Sequence, residues 1–424
     1  MGRPPNSEPP MKLLSARLLL PITSPPLFGG ALLLQDGTIL EIGEREELKR
    51  HHPSIPIEDL GDAVLLPGLV NVHTHLELSG LQGTLHGLFL DWLFQLIDRK
   101  RDLDSQFYLH SASQGVRDLI RGGTTSVGEI TSAGMSFEVL RRSGLRGVVY
   151  YETLGLDPLQ AEGIVRRAEQ KIETMRQEAG GLLKVGLSPH APYSLSERLL
   201  EHLSSLARRF RLPVAVHLAE AEEEVRYVKE GTGPIRERLL KMVGRDRPSH
   251  EIRGETPVEL VHRHDLLSPS ALAVHAVHLE TEDVERLASS GVSVAHCPRS
   301  NHRLGNGIAP IPTYLERGIR VGLGTDSLAS NDSLSLWDEM RFALKLHEGR
   351  ISPEGLFKMA TLAGAEALGL SKEAGSLEPG KRADLIAVRI HDLDEEDPYG
   401  SLLSSVQDGD VLLTMVDGKV LYRA

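Results

Sequence analysis

The chain has 424 residues, and 47 Lys and Arg against 59 Asp and Glu give it a formal net charge of −12. That balance argues against sequence-independent nucleic-acid binding, which needs a basic footprint. With 40% apolar and 25% charged residues the composition is globular rather than disordered or fibrous, and a single cysteine, Cys297, excludes an intramolecular disulfide and a cysteine-based zinc knuckle.

The first ten residues, MGRPPNSEPP, are polar and proline-rich and read as a mobile tail without the apolar stretch of a secretory signal. No later stretch approaches the ~20 apolar residues of a membrane span. The expectation is a soluble, cytoplasmic protein that engages neither membrane nor nucleic acid. Residues 11–66 read as short strands and turns. An apolar run at 31–34 closes at Gln35, Asp36-Gly37 gives a hairpin turn, and 38–42 resumes the strand. The far end repeats the style, with strands at 383–390, 411–416 and 419–422, the last two flanking Asp417-Gly418. Residues 11–66 and 371–424 are therefore expected to build one small β-sandwich domain that the chain leaves and re-enters.

Residues 67–370 behave differently. Eight apolar runs (63–75, 124–131, 145–153, 183–192, 212–220, 271–279, 292–301 and 320–328) alternate with amphipathic stretches such as 158–175, 196–210 and 281–289. Consecutive apolar positions suit strands buried on both faces. Eight β/α units over about 300 residues predict an α/β fold of the (β/α)8 TIM-barrel type. Catalytic groups should then lie at the C-terminal strand ends. Those ends carry His73 and His75, Glu129, Glu152, His190, His217 and Glu220, His275 and His278, Asn301, and Asp326. Strand packing requires none of these residue types.

In Val72-His73-Thr74-His75 the two imidazoles are two residues apart, so on a strand they share a face and can bind one ion. With His217 and Asp326 they form a nitrogen and oxygen donor set suited to Zn²⁺ or Fe²⁺. Asp326 also fits a helix N-cap and His217 a core position. Cys297 adjoins His296, but adjacent strand residues face opposite ways, so Cys297 is read as a packing residue rather than a nucleophile.

The order of His-x-His on the first strand, histidines on the fifth and sixth and Asp on the eighth resembles the amidohydrolase superfamily. The segments PGLVNVHTHLE, HCPRSNHRLGNG and GTDSLASNDSLSLWDEM resemble its deaminase and chlorohydrolase branch. The resemblance implies His73, His75, His217 and Asp326 as ligands of one divalent metal, Zn²⁺ or Fe²⁺. A lysine that bridges two metals in other members is absent from the fourth strand end, where Ser188-Pro189-His190 stands. Glu220, three residues after His217, matches the branch's acid/base carboxyl. His275 matches the group that takes the water proton together with Asp326, and His278 is then structural. Glu222, Glu223 and Glu224 read as a solvated acidic face.

Substrate contacts are expected from His190, Glu77, Asn301 and Arg299, with Glu77 placed on ribose hydroxyls. HTHLELS with the later motifs looks most like the aminofutalosine deaminases of menaquinone biosynthesis, which release ammonia from a 6-aminopurine nucleoside. Relatives acting on adenosine, 5′-methylthioadenosine or S-adenosylhomocysteine, chlorohydrolases and ring amidohydrolases are the alternatives; a non-enzymatic scaffold is disfavoured by the complete ligand set. Gln82-Gly83 replaces the Arg-Gly pair of adenosine-type relatives, though Trp92-Leu93 remains. The Arg-rich stretch 231–255 is a candidate lid whose Arg236 or Arg238 meets a substrate carboxylate, or else a solvated helix and loop. The partner implied is a small molecule, and the resemblance allows a homodimer.

Overall fold

The computed structural model describes residues 11–242, 244, 245 and 248–424; the expected N-terminal tail lies outside them. Eight parallel strands form the central sheet: β1 (Leu69–Thr74), β2 (Thr124–Thr131), β3 (Arg146–Thr153), β4 (Leu183–Pro189), β5 (Val214–Leu218), β6 (Ala271–His275), β7 (Ser293–His296) and β8 (Arg320–Leu323). They are hydrogen-bonded in chain order, and β8 meets β1 at a parallel bridge between Thr74 and Asp326. Helices follow the strands, for example Ala161–Glu178 after β3 and Glu197–Phe210 after β4. This is the expected (β/α)8 barrel. Its interior is packed with side chains such as Val70, Val72, Tyr150, Ala215, Leu272, Val274 and Cys297. The helix Leu362–Ala367 packs against β1 and β8, where Ala360 O accepts from Val70 N.

Two further sheets use both chain ends. The first orders Thr38–Glu44, Gly30–Gln35, Lys12–Ser15 and Ile57–Asp59. The second orders Lys419–Arg423, Val411–Val416, Leu385–Arg389, Ala63–Pro67, Leu18–Leu19 and Leu27–Phe28, so N- and C-terminal strands share it. Leu14, Leu32, Leu65, Leu385 and Met415 belong to one buried cluster of this region. A buried Arg146–Asp384 pair, with Nε to Oδ2 at 2.6 Å, ties it to β3.

The apolar run 63–75 divides into two strands, one in each unit. The break falls at Gly68, where an added Cβ would lie 2.1 Å from the Thr125 side chain. Other runs also overshoot their strands at the C-terminal end. The run 292–301 yields only β7, and Arg299, Ser300 and Asn301 lie on the helix Pro298–Leu304 rather than on a strand end. Residues past the strand ends are buried because they surround the site, and burial mimics a strand in the sequence pattern.

Candidate active site

The strand ends converge on a cavity of about 700 Å³ whose lining includes His75, His190, His217, Glu220, His275 and Asp326. The backbone turns sharply there. Ala219, His275, Ala276 and Asp326 have φ of 49°, 70°, 48° and 58°. For residues with a Cβ this region is sparsely populated and costs on the order of 1–3 kcal/mol each, so the surroundings must hold it.

Four side chains fit an ion-binding site. His73 is fully buried, and neither ring nitrogen has a hydrogen-bond partner. Its Nε2 lies 3.5 Å from Asp326 Oδ1; His75 Nε2 lies 3.7 Å from the same oxygen and 3.2 Å from His217 Nε2. Unpartnered buried imidazole nitrogens are costly. A cation among them would use their lone pairs. Burial depresses His73 to about 4 and takes His75 well below its usual range, which keeps both rings neutral and able to donate. His217 Nδ1–H donates to His190 O at 2.8 Å, leaving the Nε2 lone pair free. Burial works to raise Asp326, but the close approach of His73 and the histidines around it hold it well below the carboxylate range. Its Oδ2 accepts from Ser300 Oγ at 2.6 Å and Ser330 Oγ at 2.8 Å, so Oδ1 is the oxygen left facing the histidines.

His275 Nδ1–H donates to Asn301 Oδ1 at 2.8 Å, which makes Nε2 the basic nitrogen. That Nε2 stands 3.7 Å from Glu220 Oε1. Burial, and then the Asp326 charge, push Glu220 up to about 8, against the opposing effects of His217 and Asn306. Asn306 Nδ2 donates to Glu220 Oε1 at 2.9 Å. A carboxyl protonated at neutral pH therefore stands beside an imidazole that is neutral there, because burial lowers His275. His190 lines the cavity with Nδ1 on Ser194 Oγ at 2.7 Å. His278 bonds Asn306 O at 2.6 Å and is structural. Cys297 is buried in the barrel interior.

The structure corrects several expectations. Glu77 has no capacity left for a ribose: both carboxylate oxygens are saturated by the loop after β2, through the backbone N–H groups of Ser132, Ala133, Met135 and Ser136 and the hydroxyls of Thr131 and Ser132. Asn301 holds His275 instead of substrate. Arg299 points away from the cavity, to Ser333, Asp332 and Asp338. Arg236 donates to Gly231 O, and Arg238 lies over the Phe94 ring at 4.1 Å and reaches Asp91, so neither lines the cavity; Leu239, Met242 and Arg245 of that segment do. Glu224 is not solvated: it is fully buried and accepts from the N–H groups of Ala219 and Glu220.

Sequence reasoning missed Asn306, Glu129 and Ser330. Asn306 stood inside the recognised HCPRSNHRLGNG segment. Glu129 was noted only as a polar strand end, and Ser330 carried no distinguishing spacing.

A family model described as Amidohydrolase family matches residues 64–421, and one described as Imidazolonepropionase-like composite domain, bacteria, matches residues 30–54. A 5-methylthioadenosine/S-adenosylhomocysteine deaminase of Nitratidesulfovibrio vulgaris is 34% identical, over 93% of this chain and 88% of its own. A 5'-deoxyadenosine deaminase of Methanothermobacter thermautotrophicus is 32% identical, over 93% and 89%. The crystal structure of aminofutalosine deaminase from Helicobacter pylori with methylthio-coformycin superposes with a TM-score of 0.87 at 24% identity, over 96% of this chain and 99% of that one, which establishes the shared fold. With the barrel, the histidine and aspartate cluster and a family match spanning most of its length, this chain belongs to the amidohydrolase family, whose members are metal-dependent hydrolases.

Proposed function

We propose that the protein hydrolytically deaminates a 6-aminopurine nucleoside extended at its 5′ position, with aminofutalosine as the first candidate. The observation that carries the reaction type is the apposition of Glu220, held protonated, with His275 and Asp326 at the closed end of one cavity. His73, His75, His217 and Asp326 would hold one Zn²⁺ or Fe²⁺ ion. Such an ion supplies a Lewis acid that makes water nucleophilic near neutral pH.

The chain's own residues then handle protons. Glu220 presents its proton to the purine ring nitrogen beside C6. His275 Nε2 and Asp326 Oδ1 accept the protons that water gives up as its oxygen bonds to C6. His275, its Nδ1 fixed by Asn301, returns a proton to the exocyclic nitrogen, and the second water proton, left on Asp326, replaces the one that Glu220 gave up. The C6–N bond breaks, ammonia leaves, and a 6-oxopurine nucleoside remains. His190 is placed to contact the substrate.

The rest of the cavity supports a large 5′ group. Phe89, Trp92, Leu93 and Ile164 supply apolar wall, while Lys100, Arg101, Arg167 and Arg245 bring four cations. Arg167 makes no ion pair or hydrogen bond among the described residues. Arg245 pairs with Asp157 at 3.2 Å but keeps a buried Nε without a partner. Flat apolar walls with unspent guanidinium donors suit an aromatic acid, the 5′ feature of aminofutalosine. S-adenosylhomocysteine also carries a carboxylate, and the names of the relatives direct the test to it, to 5′-methylthioadenosine and to 5′-deoxyadenosine.

The deciding experiment is ammonia release by metal-replete protein from those nucleosides and adenosine. Fastest turnover of aminofutalosine supports the full proposal. Preference for another 5′-substituted adenosine keeps the reaction and replaces the substrate. No ammonia from any of them overturns the nucleoside reading, and chloride or amine release from a triazine would then be measured.

A further inference from the structure

The two strand-end loops nearest His75 are joined by an exchange of buried carboxylates. Glu129, at the end of β2, is fully buried. It accepts from Thr74 Oγ1 at 2.6 Å and from Leu76 N at 3.0 and 3.1 Å, the residues on either side of His75. Glu77, two residues beyond His75, reaches back across to the loop after β2 and takes six hydrogen bonds from residues 131–136. Each loop thus receives the carboxylate of the other.

The exchange sits where the sheet ladder fails. Along β1 and β2, Asn71 pairs with Val127 but the next pair is Thr74 with Glu129. Three steps on β1 match two on β2, which is a bulge at Val72 and His73. Bulges re-aim side chains and leave the bulged residues outside the regular ladder. Backbone contact is close there, since a Cβ on Gly128 would lie 2.1 Å from Val72 O. The ladder resumes for one residue only, Thr74, which pairs with Glu129 on one side and Asp326 on the other; His75 lies just past that last pair, with its O accepting from Leu78 N at 3.0 Å. Its ring contacts include the 3.2 Å approach to His217, the 3.7 Å approach to Asp326 and an edge-on contact with the His73 ring at 4.8 Å between centroids.

We propose that Glu129 and Glu77 are positioning residues that aim His75, taking over at the bulge the work that ladder hydrogen bonds do elsewhere in the barrel. The role rests on reading His73, His75, His217 and Asp326 as ion ligands. Outer partners of metal ligands commonly change metal affinity about 10–100-fold when replaced. Glu129→Gln keeps one acceptor oxygen but sets an amide NH₂ against Thr74 Oγ1 or against Leu76 N, which both Glu129 oxygens face, so it should fall in that range. Thr74→Val should weaken retention in the same direction, and Thr74→Ser, which keeps the hydroxyl, should restore it.

The test has two parts. Bound zinc is measured after dialysis against graded chelator for wild type, Glu129→Gln, Glu77→Gln, Thr74→Val and Thr74→Ser, beside the melting temperature of each metal-free protein. A crystal structure of metal-free Glu129→Gln then reads the His75–His217 distance directly. Weaker zinc retention at near-wild-type metal-free melting, with the His75 ring displaced, supports the role. A Glu129→Gln protein whose His75 ring is unmoved and whose zinc retention is unchanged overturns it, as does a loss confined to melting temperature. Wild type that retains no zinc or iron would instead refute the ligand reading, and the metal-free crystal structure would still decide whether Glu129 aims His75.

Discussion

The carboxylate of Glu224 accepts the backbone N–H of Glu220 with one oxygen and that of Ala219 with the other, each at 3.0 Å. Ala219 has a φ of 49°, so the peptide that presents Glu220 is held in a left-handed turn that a residue with a Cβ avoids. Glu224 stabilises that turn from the first turn of the helix Glu222–Glu230. Burial pushes Glu224 up to about 8, and leaving one of these buried N–H groups without its acceptor costs roughly 1–3 kcal/mol. Glu224→Gln should therefore lower kcat by about tenfold while leaving KM within about twofold, because the proton donor is misplaced but the cavity walls are not. Steady-state kinetics check this; an unchanged kcat in a folded variant would refute it.

Glu220 gives the reaction its pH dependence. It must carry its proton to serve the ring nitrogen, and burial sets its pKa at about 8. The acid is present below that value and lost above it, so kcat should hold through neutrality and decline as pH rises past about 8. Glu220→Gln should abolish this alkaline limb and lower kcat by ~10²–10⁴-fold, the usual share of general acid–base catalysis. Bound metal should be unchanged, since Glu220 is not among the ion-facing donors. A Gln variant with near-wild-type turnover would sink the assignment.

How far these features were legible depends on what each residue does. Alternating apolar runs exposed the barrel because strands buried on both faces leave a continuous signal. His73, His75, His217 and Asp326 stood out because polar groups at the ends of such runs have no packing purpose. Glu224 was not legible: in a run of three acidic residues nothing in composition separates the buried one from its neighbours Glu222 and Glu223. Its distance of four from Glu220 was the available clue, since that spacing lets a side chain fold back on a helix start. Glu77 was misread because a loop carboxylate near a ligand pair suits substrate or structure equally, and only the six donors around it decide. Arg299 and Asn301 were misplaced when a buried helix was taken for the continuation of β7.

Ser300 and Ser330 both donate to Asp326 Oδ2, at 2.6 and 2.8 Å. They fix which oxygen faces the histidines, and they favour the ionised carboxylate. Replacing both with alanine leaves Asp326 buried with one oxygen unsatisfied. The double variant should retain less zinc at a given chelator concentration, by about tenfold for roughly 1–3 kcal/mol of lost satisfaction. Equilibrium dialysis with metal analysis measures this; retention equal to wild type would show that the hydroxyls do not matter to the site.

Arg167 distinguishes among the proposed substrates. It lies on the helix Ala161–Glu178, lines the cavity, and pairs with no acid among the described residues. Arg167 is exposed to solvent at the cavity wall, and a guanidinium without an acid partner is available for a charge-assisted, two-donor contact with a ligand carboxylate. Arg167→Met keeps apolar volume and removes the charge. For a nucleoside whose 5′ group ends in a carboxylate, KM should rise about 10–100-fold, matching a charge-assisted hydrogen bond of roughly 1.5–3 kcal/mol. For 5′-deoxyadenosine, which has no acid to present, kcat/KM should stay within about twofold. Equal losses on both substrates would mean that Arg167 shapes the wall, and no loss on either would move the acid-binding role to Arg245 or Lys100.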